Sequence, residues 1–338
     1  MKKFLSNLIK FNVPLLLFIL VLLLLPPTPR AKTSLIFAKN HKDSLLLNTA
    51  SPRIIFVGGS NLSFGLNSQL IKDSLELEPI NTAIHAGIGL KYMLDSTLPH
   101  IKQSDVVVVI PEYDNYFGDF SFGRNELLRT IMDVSKSDIR LLNLRQMANL
   151  APFLPQYILS KLKVTEYTNI QVDQIYGVQS FNRYGDASAH WQLAGKTVKP
   201  MQGFQNSPNR YAIQQLQAFN AQIKQKGAML FVSFPSLQRS SFENSKTVIT
   251  EIHQLLKTSG LNILGNPERY AMADSLIFDT PYHLNYSGVI ARTTRLIEDL
   301  RSAPLLTIDW FHNNTDNKFN YALQLPRLRH FSAHSVCT

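Results

Sequence analysis

Runs of uninterrupted apolar residues are the feature that most narrows the folds open to this chain of 338 residues. Residues 106–110 read Val-Val-Val-Val-Ile without a polar residue, and largely apolar segments predict further strands at 53–57, 228–235 and 261–264. A strand that is apolar at every position is buried on both faces, as the strands of a parallel sheet are. A helical pattern at residues 209–226 precedes one of these runs and completes a strand–helix–strand unit. The sequence therefore predicts an α/β fold with a mainly parallel sheet.

Other segments of the predicted domain carry helical patterns. One helix is expected to begin at Asn67 or Ser68, since either side chain can cap it. Further helices are predicted around residues 246–256 and after Gly288. With 45% hydrophobic residues the chain can form a proper core, which excludes a disordered protein.

The N-terminus predicts a membrane anchor. Residues 11–25 carry no charge but are fewer than the roughly 20 residues that a spanning helix needs. Residues 4–9 extend the segment if the Lys10 ammonium reaches back to the interface. A cleavable signal peptide is the alternative, but residues 26–31 offer no Ala-x-Ala site, so we expect an uncleaved anchor.

Changes in composition divide the chain into five parts. Residues 117–208 combine helical patterns with polar and aromatic stretches, which predicts an insertion or lid in the main domain. Aromatic and polar residues near His190 could contact sugars, and ordinary loop packing is the alternative. The predicted boundaries are an anchor at 1–27, a linker at 28–52, a domain at 53–303 that contains the insertion at 117–208, and a C-terminal extension at 304–338.

Charge and cysteine content limit the partners. The formal net charge of +10 suits an anionic surface such as lipid headgroups or acidic polymers, and it could also suit nucleic acid. The basic residues are scattered and no nucleic-acid motif accompanies them, so we expect no nucleic-acid partner. The single cysteine, Cys337, excludes an intramolecular disulfide and a zinc site of several cysteines. We expect neither a metal nor a cofactor.

The turn Gly58-Gly59-Ser60 directly follows the first predicted strand, and Asp279 and His283 lie more than two hundred residues later. A serine at the carboxyl end of a strand is exposed enough to act as a nucleophile when a histidine takes its proton and an acid orients that histidine. An ordinary turn is the alternative for Ser60. The α/β-hydrolase elbow is excluded because Leu62 stands where that motif has glycine.

These blocks resemble the SGNH/GDSL hydrolase superfamily. Its Gly-Asp-Ser turn corresponds to residues 58–60, and its final Asp-x-x-His block corresponds to residues 279–283, with one additional residue between acid and base. The resemblance implies that Ser60 is the nucleophile, His283 the base and Asp279 the orienting acid. It also implies a three-layer sandwich with a flavodoxin-like strand order and a helical insertion.

The resemblance further implies an oxyanion hole. Its donors would be the backbone N–H groups of Ser60 and Gly87, with Asn115 as a further candidate because Tyr113 stands where the family's third block has asparagine. Substrate contacts are expected at Asn61, Tyr113 and Asn285.

Within the superfamily, the relaxed first block and the sequence Tyr-His-Leu-Asn at residues 282–285 resemble a membrane-anchored subgroup that acts in O-acylation of cell-envelope polymers. This implies an esterase or O-acyl (acetyl) transferase that acts on a polysaccharide outside the cytoplasm, with a membrane-bound acyltransferase as a possible partner. The sequence leaves hydrolase and transferase both open. Two other readings remain: a non-catalytic carbohydrate-binding or assembly subunit that retains the fold, and a cytoplasm-facing lipase.

Overall fold

A computed structural model describes residues 1–303, apart from the side chain of Lys2, and the predicted extension at 304–338 lies outside the described residues. The α-helices are α1 Lys2–Leu24, α2 Pro29–Lys32, α3 Ala38–Asn48, α4 Ser60–Ser63, α5 Ser68–Leu75, α6 Leu90–Thr97, α7 Asn125–Arg129, α8 Leu144–Leu150, α9 Leu154–Ser160, α10 Tyr211–Gln225, α11 Arg239–Lys257 and α12 Tyr286–Arg301. The strands are β1 Arg53–Gly58, β2 Glu78–Asn81, β3 Val106–Ile110, β4 Met229–Val232, β5 Leu237–Gln238 and β6 Ala271–Met272.

The main sheet of the described residues has four parallel strands in the order β2-β1-β3-β4. Its register places Ile80, Ile55, Val107 and Leu230 side by side, and all four side chains are buried. The predicted α/β fold with a mainly parallel sheet is therefore confirmed. A parallel bridge from Val232 to residue 263 continues the sheet beyond β4.

The crossovers explain how the helices cover the sheet. The chain moves one way from β1 to β2 and the opposite way from β2 to β3, so right-handed connections place α5 and α6 on opposite faces. The chain moves from β3 to β4 in the same direction as from β2 to β3, and the connecting helix α10 packs against α6. On the other face, α12 packs against α5. The helix predicted at 209–226 is confirmed as α10. Asn67 caps α5, as predicted, with its side chain accepting from the Leu70 N–H.

Residues 28–52, predicted as a linker, are part of the folded body. They form α2, a short 3-10 turn and α3, and α3 packs against β2. The residues that α3 buries include Lys39, Lys42 and Leu46, so two of its inward positions are charged. The segment therefore connects the N-terminal helix to the sheet through packed structure.

Strand β2 forms one edge of the sheet, and the insertion covers it. The Asn81 N–H donates to the carbonyl of Tyr184 at 2.9 Å. The Lys42 ammonium, which is buried, donates to the carbonyls of Asn81 and Gly185 at 2.8 and 2.5 Å. Burial lowers the pKa of Lys42 to about 7, against the opposing charge of Asp186. The insertion is thereby attached to the sheet at a buried polar junction.

Among the described residues, one helix is long and apolar enough to cross a membrane, and it lies near the N-terminus. Most side chains of α1 are exposed, and Leu22 near its end is buried. The first residues after α1 are fixed to the insertion, since the Lys161 ammonium donates to the Pro26 carbonyl at 3.2 Å and the Thr28 hydroxyl to the Glu166 carboxylate at 2.8 Å. The exit of this helix is therefore tied to the insertion.

Candidate active site

The predicted site residues gather at the carboxyl ends of the parallel strands, where open α/β sheets bind their ligands. Ser60 follows β1 and begins α4, and the loop of residues 111–115 follows β3. The segment that carries His283 reaches this loop, because the hydroxyl of Tyr282 donates to Asp114 at 2.9 Å. The fold thus brings the N-terminal and C-terminal parts of the predicted site to one edge of the sheet.

The hydroxyl of Ser60 donates to Oε1 of Glu112 at 3.2 Å. The same oxygen accepts from the Asn61 backbone N–H at 2.8 Å and from the Asn61 side chain at 3.3 Å. Glycine at position 59 makes this approach possible, since a Cβ there would lie 2.7 Å from Glu112 Oε1 and 2.8 Å from the Cα of Ala86. The buried Glu112 carboxylate therefore holds the serine turn through three donors.

His283 and Asp279 form the pair that the sequence predicts. His283 Nδ1 lies 3.0 Å from Asp279 Oδ1, and the ring is 5% exposed. Because the carboxylate is an acceptor, Nδ1 carries the proton and Nε2 keeps the lone pair that a general base needs. Burial alone would raise the pKa of Asp279, but its hydrogen bonds with His283 and Tyr176 and the positive charge of Lys196 outweigh burial and lower it. The Asp279 carboxyl group is therefore held in its charged form.

Tyr176, from the insertion, completes this network. Its hydroxyl donates to Asp279 Oδ2 at 2.6 Å and lies 3.2 Å from His283 Nδ1. Burial, followed by the hydrogen bond to Asp279, raises the pKa of Tyr176, so the phenol stays protonated and remains a donor. Both carboxylate oxygens of Asp279 are thus occupied, which fixes its plane relative to the imidazole.

Phe64 joins the histidine to the helix that carries the serine. Its ring stacks on His283 with centroids 4.3 Å apart and an interplanar angle of 14°. Phe64 closes the turn that Ser60 opens, since the Phe64 N–H donates to the Ser60 carbonyl at 2.9 Å. Phe64 therefore lies one helical turn after Ser60 and carries the imidazole on its ring.

Ser60 and His283 are neighbours through Phe64 but are not directly joined. Within residues 1–303, no hydrogen bond links the Ser60 hydroxyl to the His283 ring, and the hydroxyl points to Glu112 instead. Catalytic hydrogen bonds often tighten only when substrate is bound. A Ser60–His283 pair would require the serine side chain to turn away from Glu112.

Two of the three predicted oxyanion donors, Gly87 and Asn115, are engaged within the protein. The Gly87 N–H donates to His85 Nδ1 at 3.0 Å, and a Cβ at this position would collide with the Glu126 carboxylate. The Asn115 side chain donates to the Glu112 carbonyl at 3.1 Å and accepts from the Leu90 N–H at 3.3 Å. Asn115 therefore fixes the loop after β3, and Gly87 would have to exchange His85 for a ligand oxygen.

The three predicted substrate contacts are either buried or bonded within the protein. Asn61 is fully buried on Glu112, and Tyr113 is 1% exposed with its hydroxyl unpartnered among the described residues. Burial raises the pKa of Tyr113, which keeps it protonated. Asn285 caps α12 by accepting from the Gly288 N–H at 3.0 Å and donates to the Ser275 carbonyl at 2.8 Å. In this conformation Asn61 and Tyr113 present no surface to a substrate.

His190 packs beneath the site rather than facing a ligand. It is fully buried, lies 5.2 Å from the Phe64 ring centroid, and donates through Nε2 to the Leu284 carbonyl at 2.9 Å. Its Nδ1 has no partner among the described residues. Of the two interpretations of this part of the insertion, loop packing is the one that the structure supports for His190.

The burial of His190 predicts acid sensitivity. Burial lowers its pKa from 6.5 to about 4, so between these values the unfolded chain binds a proton that the folded chain does not. Stability therefore falls as the pH drops through this window, by about 3 kcal/mol since one pKa unit corresponds to about 1.4 kcal/mol. We expect this loss between denaturant unfolding curves recorded above pH 6.5 and near pH 4.

His190→Gln is the matched variant, because its amide can still donate to the Leu284 carbonyl but does not titrate. The same fall in stability in this variant and in the natural chain would show that other groups cause it.

Comparison with known proteins adds no relative: no protein-family model matches the chain, and no curated protein shows significant similarity to it. The site must therefore be judged from its own geometry. Within residues 1–303, no group of three or more His, Cys, Asp or Glu side chains is arranged to hold a metal ion.

Sequence reasoning missed three contributors to the site, namely Glu112, Tyr176 and Phe64. Glu112 stands in the loop after β3, where the comparison of blocks directed attention to asparagine. Tyr176 lies in a stretch of the insertion without periodicity, 103 residues from Asp279. Phe64 alone carried a local signal, since it is an apolar residue one turn after the candidate nucleophile.

Proposed function

We propose that this protein is a membrane-anchored serine hydrolase or O-acyltransferase of the SGNH/GDSL type, which acts on acyl esters of a cell-envelope or exported polysaccharide. The observation that carries the proposal is the oriented base: His283 is held by Asp279 and Tyr176 and stacks on the helix that begins with Ser60. A strand order of β2-β1-β3-β4 agrees with the flavodoxin-like order of such enzymes.

In the proposed reaction, the Ser60 hydroxyl leaves Glu112 and attacks the carbonyl carbon of an acyl ester while His283 Nε2 takes its proton. The tetrahedral oxyanion is stabilised by the N–H groups of Ser60 and Gly87, each such donor being worth about 3–4 kcal/mol in enzymes of this kind. Collapse expels the alcohol, which receives the proton from His283, and leaves an acyl-serine. Water or a sugar hydroxyl then attacks the acyl-serine by the reverse sequence of proton transfers.

The N-terminal helix supports the proposed membrane location. Helix α1 anchors the protein as a single span, and envelope chemistry places the domain outside the cytoplasm. The acyl group would then be supplied by a membrane-bound partner, because acyl donors of metabolism are made in the cytoplasm.

One observation favours a second candidate, a non-catalytic carbohydrate-binding or assembly subunit. Ser60 is bonded to Glu112, and the Gly87 N–H is bonded to His85, so neither the nucleophile nor this oxyanion donor is free in the present conformation. A protein that uses the fold only for binding would keep these contacts permanently.

Labelling with a fluorophosphonate separates the two candidates. An activated serine attacks the phosphorus and expels fluoride, which leaves a stable phosphonyl-serine. We expect the full-length protein to be labelled, both in native membranes and after purification, and Ser60→Ala and His283→Ala to lose the label. Ser287→Ala is the matched control, because Ser287 is exposed four residues from His283 and lies outside the network.

Two results would count against catalysis. Folded natural protein that takes up no label in either preparation would favour the binding subunit. Label that persists in Ser60→Ala would place the reactive serine elsewhere.

A further inference from the structure

The insertion exposes apolar side chains beside the exit of helix α1. Leu159, Leu162, Val164 and Tyr167 are between 46% and 72% exposed, and we call these four residues the exit strip. All four lie within residues 159–167, at the end of α9 and in the segment after it. Apolar side chains gathered in this way mark an interaction surface more often than singly scattered ones do.

The exit strip is fixed to the end of α1 by several contacts. Helix α1 packs against α9, and α2 packs against the short 3-10 helix at residues 164–166. The Lys161 ammonium donates to the Pro26 carbonyl, and the Thr28 hydroxyl donates to Glu166. Both residues that make these contacts, Lys161 and Glu166, lie between exposed residues of the strip. A bilayer that contains α1 would therefore end close to the strip.

Basic side chains near the exit strip indicate that an anionic membrane surface covers it. Exposed basic residues surround the exit, and these are Arg30, Lys32, Lys136 and Lys163. The Lys136 ammonium donates to the Leu24 carbonyl at 3.4 Å, which places it at the last turn of α1. Each Lys or Arg near an anionic membrane surface is attracted to it, and tyrosine is enriched at the interface between lipid and water.

We propose that the exit strip lies in the headgroup region of the bilayer that α1 enters, with the basic residues on anionic phospholipids. The strip is then a second membrane contact, which holds the folded domain against the bilayer surface. Without it, helix α1 alone would attach the domain to the membrane. This inference rests on the proposed anchor but not on the proposed chemistry of Ser60.

The test uses the full-length chain with Cys337→Ser and one new cysteine, labelled with the environment-sensitive dye NBD. Val164→Cys reports on the strip, Leu17→Cys on α1, and Glu251→Cys on an exposed position of α11. The proteins are placed in nanodiscs of phosphatidylcholine and phosphatidylglycerol, with and without bromine on the lipid chains.

We expect the dye at positions 17 and 164 to emit at shorter wavelength than at 251 and to be quenched by brominated lipid, while position 251 is not quenched. We also expect quenching at 164 to weaken when phosphatidylglycerol is replaced by phosphatidylcholine. Quenching at 17 with water-like emission at 164 would overturn the proposal and leave the anchor standing.

Two other outcomes also overturn it. A blue shift at 164 without quenching would mean that a protein surface, such as a second copy of the chain, covers the strip. Absence of quenching at both 17 and 164 would refute the anchor together with the strip.

Discussion

Asp279→Asn is expected to lower kcat/KM for acyl-ester cleavage by about 10³–10⁴-fold if Ser60 and His283 act as proposed. The Tyr176 hydroxyl, which donates to the Asp279 carboxylate, would bond to the amide oxygen of the new residue. The amide NH₂ would then face His283 and donate to Nδ1, so the imidazole would carry its proton on Nε2 and could not act as a base. Kinetics with a chromogenic acetate ester measure the change.

Tyr176→Phe is the graded comparison for this experiment. It keeps the ring beside Phe64 and removes the donor to Asp279, one hydrogen bond to a charged group of about 1.5–3 kcal/mol, so a loss of about ten- to a hundredfold is expected. An Asp279→Asn protein with undiminished kcat/KM would show that His283 is not oriented by this acid.

Asp105→Asn is expected to lower the free energy of unfolding by about 3–5 kcal/mol, because it leaves a buried arginine without its counter-ion. Arg53 and Asp105 are both fully buried, and Arg53 Nε lies 3.2 Å from the Asp105 carboxylate. The carboxylate also accepts from the Ser51 hydroxyl at 2.5 Å and from the Lys102 N–H at 2.9 Å. Denaturant unfolding of the purified protein measures the loss.

A surface ion pair provides the matched control. Asp119 and Arg145 lie 2.6 Å apart with side chains 48% and 42% exposed, so Asp119→Asn should change the free energy of unfolding by less than about 1 kcal/mol. Equal effects of the two substitutions would show that burial is not what gives the Arg53–Asp105 pair its importance.

The central strands β3 and β4 can be predicted from the sequence because every one of their residues is apolar. Each residue of β3 and β4 is apolar, and only a strand covered on both faces needs that pattern. Strand β2 was missed because Glu78 and Pro79 interrupt the pattern, which an edge strand tolerates. Helix α11 was placed correctly but begins at Arg239, before the predicted start at residue 246.

Helix α3 was missed for an electrostatic reason. Its inward face carries Lys39 and Lys42, whose ammonium groups are satisfied by Asp43 and by backbone carbonyls distant in sequence. A charged side chain can be buried when hydrogen bonds satisfy it, and the hydrophobic pattern of a sequence does not show such a face. The carbonyls that bind Lys42 come close to it only when the chain has folded.

The candidate site also contains residues that local sequence motifs predict and residues that they do not. Local motifs predict Ser60, Asp279 and His283, and Asp279 and His283 do form a pair at 3.0 Å. Whether the three act together stays a prediction. Glu112 and Tyr176 could not be nominated, because each acquires its role from a partner at least 50 residues away in the chain.

The covered edge of the sheet has a consequence for solubility. Along a strand, alternate residues turn both backbone groups to the same side, so Pro79 and Asn81 face outward from β2. Pro79 has no N–H, and Asn81 already bonds to Tyr184 and Lys42. An exposed edge of this kind would otherwise be a template for pairing with another chain. Pro79 and the insertion together therefore protect this edge from pairing with another chain, and removal of residues 177–190 would free the Asn81 N–H for such pairing.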